Sequence, residues 1–241
     1  EVVKQANVSF GDWKNNGRAP QLSGASNTST AVKSAIYLLD KPEAAQSVIR
    51  LSSAGMKRNN PDYFALILLN DLFGGQFTSR LNLNLRQDKG YSYGFHSGFD
   101  WYKESSLIWA GGAVQSEVTK ESIEETLKEF RDIAKTRQIT QNEFKTTKEG
   151  ILRMFPSGFE TPTQILDHLA NIAHFKLSDD YYANFTKAIS DVTLNDIHHA
   201  AEKWASMQHI SLLVVGDLKL NAQHLEQLGL PVITIDHEGN T

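Results

Sequence analysis

The chain has 241 residues, of which 40% are hydrophobic and 22% charged, a composition typical of a globular protein rather than a disordered one. Its net charge is −4 and its Lys and Arg residues are scattered, so no basic field would attract a phosphate backbone, and we expect no nucleic-acid partner. No apolar run reaches about 18 residues, so we expect no membrane span, and the absence of Cys excludes disulfides and thiolate metal sites.

The first 30 residues are interpreted as the end of a preceding domain followed by a linker. The run FGDWK, which begins at Phe10, leads into a stretch rich in Gly, Pro, Ser, Asn and Thr at positions 15–30, a composition typical of linkers. The opening residues EVVK do not form a signal peptide, and we interpret them as a cut inside a longer polypeptide. One folded domain is therefore expected over 31–241.

The first elements of this domain are a strand and two helices. The alternation at 46–54 predicts a strand. Residues 63–73 are apolar on nearly every side, which predicts a buried helix. We expect this helix to end at Gly74 and Gly75, because glycine tolerates the positive φ of a sharp turn. A second helix is predicted over 79–88.

The rest of the chain is predicted as a hairpin, a group of helices and further strands. Alternating and β-prone runs predict hairpin strands at 91–99 and 105–114. Helices are predicted from 119 to about 133, from a capping box at Thr140 and Glu143 to about 155, and over 163–175, 179–190 and 194–206. Strands are predicted at 210–216 and 232–235. This order of elements predicts one α+β domain with its helices against one face of a sheet.

A glycine break, an Arg and a tyrosine pair occur together in the runs LFGGQFTSRL, from Leu72, and LRQDKGYSYG, from Leu85. This arrangement resembles the C-terminal-type domain of the pitrilysin, insulysin and mitochondrial-processing-peptidase family, the inverzincins. In that domain an Arg and a Tyr seven residues apart hold the substrate, and the matching positions are Arg86 and Tyr93. The resemblance covers most of the chain from 46 to 216 and implies a mixed, largely antiparallel sheet.

The resemblance also implies where the zinc is bound. Family members enclose a peptide in a clamshell of four such domains, and a His-x-x-Glu-His motif in the zinc domain supplies two metal ligands and the general base. This chain lacks the motif, because in the sequence HAAEK from His199 the final Lys203 replaces the second His, and an ammonium group cannot bind the ion. We therefore expect no metal on this chain, zinc in a partner domain, and no peptidase activity of the chain alone.

Arg86 and Tyr93 are the candidate substrate-binding residues. The Arg86 guanidinium is a planar fork that can donate two hydrogen bonds to a carbonyl or carboxylate; the alternative is a solvated Arg at a helix end. The Tyr93 hydroxyl can donate to a developing oxyanion, a catalytic role in trans to the zinc site. By the two-residue period, Tyr91, Tyr93 and Phe95 share one strand face, so packing in the core is the alternative for Tyr93.

Three further residues of the same runs are given supporting roles. Gly74 and Gly75 are expected to shape the turn between the two helices and so to place Arg86. Arg80 is expected either to pair internally or to contact substrate, with the internal pair favoured because a buried Arg generally needs a partner.

Two functions remain open. The spacing of Arg86 and Tyr93 favours the substrate-clamping C-terminal domain of a zinc metallopeptidase, with peptide as substrate and a zinc-bearing N-terminal domain or subunit as partner. The alternative is an inert scaffold of the same fold, as in core subunits of respiratory complexes. A homo-dimer and a hetero-dimer are both possible. The compartment is unknown: the resemblance favours the periplasm, since bacterial relatives are often exported, and the cytoplasm remains open.

Overall fold

The computed structural model describes residues 1–14, 17, 34–205 and 209–241. The chain divides into two compact units, Glu1–Val32 and Lys33–Thr241. The first unit contains the helix α1 (Val2–Phe10), whose residues are all exposed. The sequence patterns above do not predict this helix, although Val3, Ala6 and Phe10 recur at helical spacing. Apart from Gly17, the expected linker at 15–30 lies outside the described residues.

The second unit is built on a six-stranded sheet. Its strands are β1 (Ala35–Asp40), β2 (Gln46–Ala54), β3 (Ser92–Trp101), β4 (Ser106–Gln115), β5 (Ser211–Gly216) and β6 (Val232–Ile235). Their order in the sheet is β3-β4-β2-β5-β1-β6. β1 runs parallel to β5 and β6, and the other neighbours are antiparallel. The mixed, largely antiparallel sheet is therefore confirmed, and β1 is the strand that the sequence patterns do not predict.

The helices of this unit lie between the strands along the chain. They are α2 (Tyr63–Asn70), α3 (Arg80–Asn82), α4 (Thr119–Asp132), α5 (Gln141–Met154), α6 (Pro162–Phe175), α7 (Tyr181–Asp191), α8 (Leu194–Ala205) and α9 (Leu218–Glu226). The predicted capping box of α5 is confirmed, because Thr140 and Glu143 each accept a hydrogen bond from the other's backbone N–H. α9 is not predicted, although the Asp217 side chain caps it by accepting from the N–H of Leu220.

Two π-helical segments continue the helices that lead to the candidate site. Residues Asp71–Gly75 extend α2, and Leu83–Asp88 extend α3. These two continuous helical runs confirm the helices predicted at 63–73 and 79–88. π-Helical turns are rare in proteins, and those that do occur are often found at functional sites.

The core lies between the helices and one face of the sheet. On that face Ile49 and Leu51 of β2 belong to one buried cluster. The helical side contributes Leu66 of α2, Phe73 of the π-helical segment that follows α2, and Trp204 of α8. On the opposite face, alternate residues of the same strands are partly exposed. The prediction that helices pack on one sheet face is therefore confirmed. None of the described helices has the length and apolar character needed to cross a membrane.

Candidate functional site

Arg86 lies in the π-helical turn that follows α3, and buried Asn82 fixes the start of that turn. The Asn82 Nδ2 group donates to the carbonyl oxygen of Phe77 at 2.8 Å, and its Oδ1 atom accepts from the N–H of Phe95 at 3.1 Å. One side chain thus joins the segment before α3 to strand β3. Because Phe95 lies two residues beyond Tyr93, the helix that carries Arg86 is held against the strand that carries Tyr93.

Arg86 is half-buried as a residue, and its guanidinium lies against an aromatic ring. Its Cζ atom is 4.4 Å from the centroid of the Phe77 ring, a cation–π contact, and Phe77 is itself exposed. Within the described part of the chain, no Asp or Glu forms an ion pair with Arg86. The contact with Phe77 therefore restricts the side chain while leaving N–H donors for an external carbonyl or carboxylate.

Tyr93 is displayed by a β-bulge in β3. The register passes from Ser92 opposite Val114 to Gly94 opposite Ala113, so Tyr93 is the extra residue. Tyr93 is 86% exposed, whereas Phe95 is fully buried. The expectation that Tyr91, Tyr93 and Phe95 share one strand face is therefore wrong, because the extra residue interrupts the two-residue period. Tyr91 precedes the strand and packs partly against the core.

The glycines of this region differ from expectation in their conformation. Among the described residues, positive φ occurs at Gly90 (φ +67°), between Arg86 and Tyr93, and not at Gly74 or Gly75. The expectation that Gly74 and Gly75 adopt a positive φ to form a sharp turn is therefore wrong. A Cβ atom at Gly74 would lie 2.5 Å from the backbone N of Ser97, so this glycine permits close approach of the first π-helical turn to β3. The role of Gly74 and Gly75 in placing Arg86 stays a prediction.

Arg86 and Tyr93 line the same open pocket, which has a volume of about 270 Å³. The other lining residues are Gln46, Gly90, Tyr91, Ser92 and Gln115. Gln46 and Gln115 lie opposite each other where β2 pairs with β4. Sequence reasoning missed both glutamines, because only strand pairing brings them to the pocket. It also missed Phe77, because only the folded chain places its ring beside the Arg86 guanidinium.

Arg80 is part of the interior rather than of the pocket. Its Nε and Nη2 atoms donate to the two carboxylate oxygens of Glu143 at 2.8 and 2.9 Å, and Nη1 donates to the carbonyl oxygen of Arg137. This confirms the internal pair. Burial by itself would raise the pKa of Glu143, but the hydrogen bonds from Arg80 and Thr140 outweigh burial and lower that pKa to about 2.

A metal centre is not formed by the described residues: they contain no group of three or more His, Cys, Asp or Glu side chains arranged to hold an ion. The chemistry available in the pocket is therefore hydrogen bonding by a fixed guanidinium and an exposed phenol, which suits the binding of carbonyl and carboxylate oxygens.

Comparison with known proteins identifies a family to which more than half of the chain matches. The family model for the peptidase M16 inactive domain matches residues 1–151. A protein of Bacillus subtilis (strain 168), named uncharacterized zinc protease YmxG, is 34% identical over 115 residues, which cover 46% of this chain and 27% of that protein.

Solved structures share the fold. The crystal structure of a peptidase M16 inactive domain from Pseudomonas fluorescens is similar with a TM-score of 0.69 and 22% identity, over 77% of this chain and 44% of that chain. A chain of complex III2 from Candida albicans, solved with Inz-5 bound, is similar with a TM-score of 0.66 and 11% identity, over 83% of this chain and 50% of that one. This chain therefore spans half or less of the length of these relatives.

Proposed function

We propose that this chain, which belongs to the peptidase M16 inactive domain family, binds peptide substrate with Arg86 and Tyr93 for hydrolysis at a zinc site in another domain. The observation that supports this most directly is the shared pocket of the two side chains. The complete protein would be a zinc-dependent peptidase, and this chain its substrate-clamping half.

Arg86 would bind a main-chain carbonyl or a carboxylate of the peptide. Its guanidinium carries a fixed fork of donors, and the Phe77 ring 4.4 Å away limits the orientations available to it. A side chain restrained before binding loses less conformational entropy when the peptide arrives. The contact with Phe77 therefore favours binding without competing for the hydrogen-bond donors.

Tyr93 would donate its hydroxyl to the scissile carbonyl. The side chain is 86% exposed at the pocket, so its phenol can reach a peptide held by a facing domain. A neutral donor placed where negative charge develops stabilises the transition state more than the ground state. This is the catalytic role proposed for Tyr93, in trans to the zinc.

A zinc-bearing domain or subunit is the partner that this function requires. The Bacillus relative is named a zinc protease, and this chain covers 27% of it, so most of that protein lies outside the matched region. Zinc bound there would supply the activated water. Both a single chain and a homo- or hetero-dimer would bring the two halves together.

The test compares Arg86→Ala and Tyr93→Phe with wild type in the complete protease that contains the zinc-bearing domain. We expect kcat/KM for peptide hydrolysis to fall about 10²-fold or more in each variant, the loss typical of removing an oxyanion donor. Tyr102→Phe is the matched control, because Tyr102 is an exposed tyrosine at the other end of the same hairpin. Unchanged kcat/KM in both site variants would contradict the proposal.

An inert scaffold of the same fold is the second candidate. The observation in its favour is the similarity to a chain of complex III2, which at 11% identity is evidence for the fold alone. A complete, zinc-loaded protein that hydrolyses no peptide with wild-type Arg86 and Tyr93 in place would favour the scaffold.

A further inference from the structure

We propose that Ser92 is a positioning residue, whose hydroxyl holds the β-bulge that turns Tyr93 out of the sheet and into the pocket. The inference rests on the proposed function, since it concerns how Tyr93 is presented to substrate. Ser92 is itself only 8% exposed, and it lies at the first residue of β3. Its side chain therefore acts from inside the fold rather than by contact with the reacting atoms.

The Ser92 hydroxyl joins both sides of the bulge. The N–H of Gly94 donates to Ser92 Oγ at 3.0 Å, and the carbonyl oxygens of Ala113 and Gly94 lie 2.6 and 2.9 Å from the same Oγ, as acceptors for its proton. An extra residue interrupts the strand ladder at a bulge, and backbone groups left there need other partners. The Ser92 hydroxyl supplies these partners inside the fold.

The facing strand is also shaped for the bulge. A Cβ atom at Gly112 of β4 would overlap the carbonyl oxygen of Gly94, so glycine is needed where β4 approaches the bulge. The segment before the bulge is tied to the end of β4, because the Gln115 N–H donates to the carbonyl oxygen of Tyr91 at 3.0 Å and Gln115 Nε2 donates to that of Gly90 at 3.1 Å. The backbone is thus fixed on both sides of Tyr93.

The consequence for Tyr93 follows from strand geometry. In a regular strand, residues two apart point to the same face, which would place Tyr93 beside the buried Phe95. The bulge inserts one residue, and the tyrosine is 86% exposed instead. Without the Ser92 hydroxyl, the bulge loses the side-chain group that bridges Gly94 and Ala113, and the position of the phenol would be less restricted.

The experiment uses Ser92→Ala in the complete protease, with Ser106→Ala as the matched control. Ser106 is a buried serine of the same hairpin whose hydroxyl donates to the Met56 carbonyl oxygen at 2.6 Å, away from the bulge. We expect Ser92→Ala to lower kcat about tenfold with little change in KM, because small misplacement of a catalytic group costs up to about 10²-fold. Ser106→Ala should leave kcat and KM unchanged. The melting temperatures of Ser92→Ala and Ser106→Ala are measured as well, to compare how much stability each variant loses.

The double variant Ser92→Ala/Tyr93→Phe separates positioning from general structural damage. If Ser92 acts through the Tyr93 hydroxyl, adding Ser92→Ala to Tyr93→Phe should cause no further loss of kcat, since coupled residues are not additive. The inference is overturned, while the proposed function stands, if Ser92→Ala keeps the wild-type kcat. It is also overturned if Ser92→Ala lowers kcat as much in the Tyr93→Phe background as in the wild type. If Tyr93→Phe itself leaves kcat unchanged, the catalytic role proposed for Tyr93 fails and the inference fails with it.

Discussion

Tyr93 and Phe95 are two positions apart on β3, yet 86% of Tyr93 is exposed and Phe95 is fully buried. A single bulge produces this difference, because it adds one residue between Ser92 and Gly94. The same strand therefore supplies a core aromatic and an exposed phenol within three residues. The β-bulge is the structural feature that exposes the Tyr93 side chain.

Replacing Arg86 by Lys should weaken substrate binding although the charge is kept. Lys has a point charge on a flexible stem and lacks the planar fork that lies against Phe77. We expect KM to rise about tenfold with a smaller change in kcat, measured by steady-state peptide hydrolysis in the complete protease. Arg153→Lys, at an exposed position of α5, is the control. A KM equal to that of wild type in Arg86→Lys would show that charge alone is sufficient.

Breaking the pair of Arg80 and Glu143 should destabilise the fold. Arg80 is buried and donates two hydrogen bonds to the Glu143 carboxylate. Arg80→Ala should lower the free energy of unfolding by about 3 kcal/mol, since removing one partner of a buried pair leaves unsatisfied groups. Urea denaturation measures this loss, and an unchanged transition midpoint would contradict the role assigned to the pair.

Acidification should remove the contribution of Glu143 to stability. Its pKa is lowered from 4.5 to about 2 in the folded chain. Ionised Glu143 therefore stabilises the fold fully above pH 4.5, and this contribution is lost as the pH falls from 4.5 to about 2. Denaturation at several pH values should show a shallower fall in stability for Glu143→Gln than for wild type across that window. Equal slopes would contradict the lowered pKa.

Asp71 should oppose folding at neutral pH. Burial raises the pKa of this carboxyl from 3.8 to about 6, so the folded chain binds the proton more tightly and stability falls as the pH rises from 3.8 through 6. Asp71→Asn should therefore raise the free energy of unfolding at pH 7 by about 1 kcal/mol, after allowance for partial solvation of the group. A loss of stability at pH 7 in chemical denaturation would contradict this expectation.

Gly74 and Gly75 should differ in their tolerance of a methyl group. A Cβ atom at Gly74 would lie 2.5 Å from the Ser97 backbone N, whereas at Gly75 the nearest atom is the Asn70 carbonyl oxygen at 3.1 Å. Gly74→Ala should therefore cost about 2 kcal/mol of stability, as overpacking does, and Gly75→Ala clearly less. Thermal melts of the two variants test this, and equal losses would exclude close approach to β3 as the reason for Gly74.

Local sequence patterns predict the elements whose signals are local. The capping box of Thr140 and Glu143 gives the start of α5, and the apolar run at 63–73 gives a buried helix, because both depend on neighbouring residues. α1, β1 and α9 are missed. β1 is a short strand placed by parallel pairing with distant β5 and β6, and α9 is a short helix that follows directly after a strand.

The candidate site is only partly readable from sequence. The resemblance to the pitrilysin-type domain points to Arg86 and Tyr93, and the structure places both at one pocket. The bulge at Tyr93 is not visible in the sequence, because a regular two-residue period fits Tyr91, Tyr93 and Phe95 equally well. The close approach at Gly74 depends on Ser97, which only the folded chain brings near.

The proposed clamping of substrate by this chain, for a zinc site elsewhere, can be tested with the two parts separate and mixed. The most direct test measures peptide hydrolysis and zinc content for the chain alone, the zinc-bearing domain alone, and their mixture with either wild-type Tyr93 or Tyr93→Phe. We expect zinc only in the zinc-bearing domain, activity only in the mixtures, and a kcat/KM about 10²-fold lower with Tyr93→Phe than with wild-type Tyr93. Equal activity of the zinc-bearing domain with and without this chain would contradict the proposed clamping.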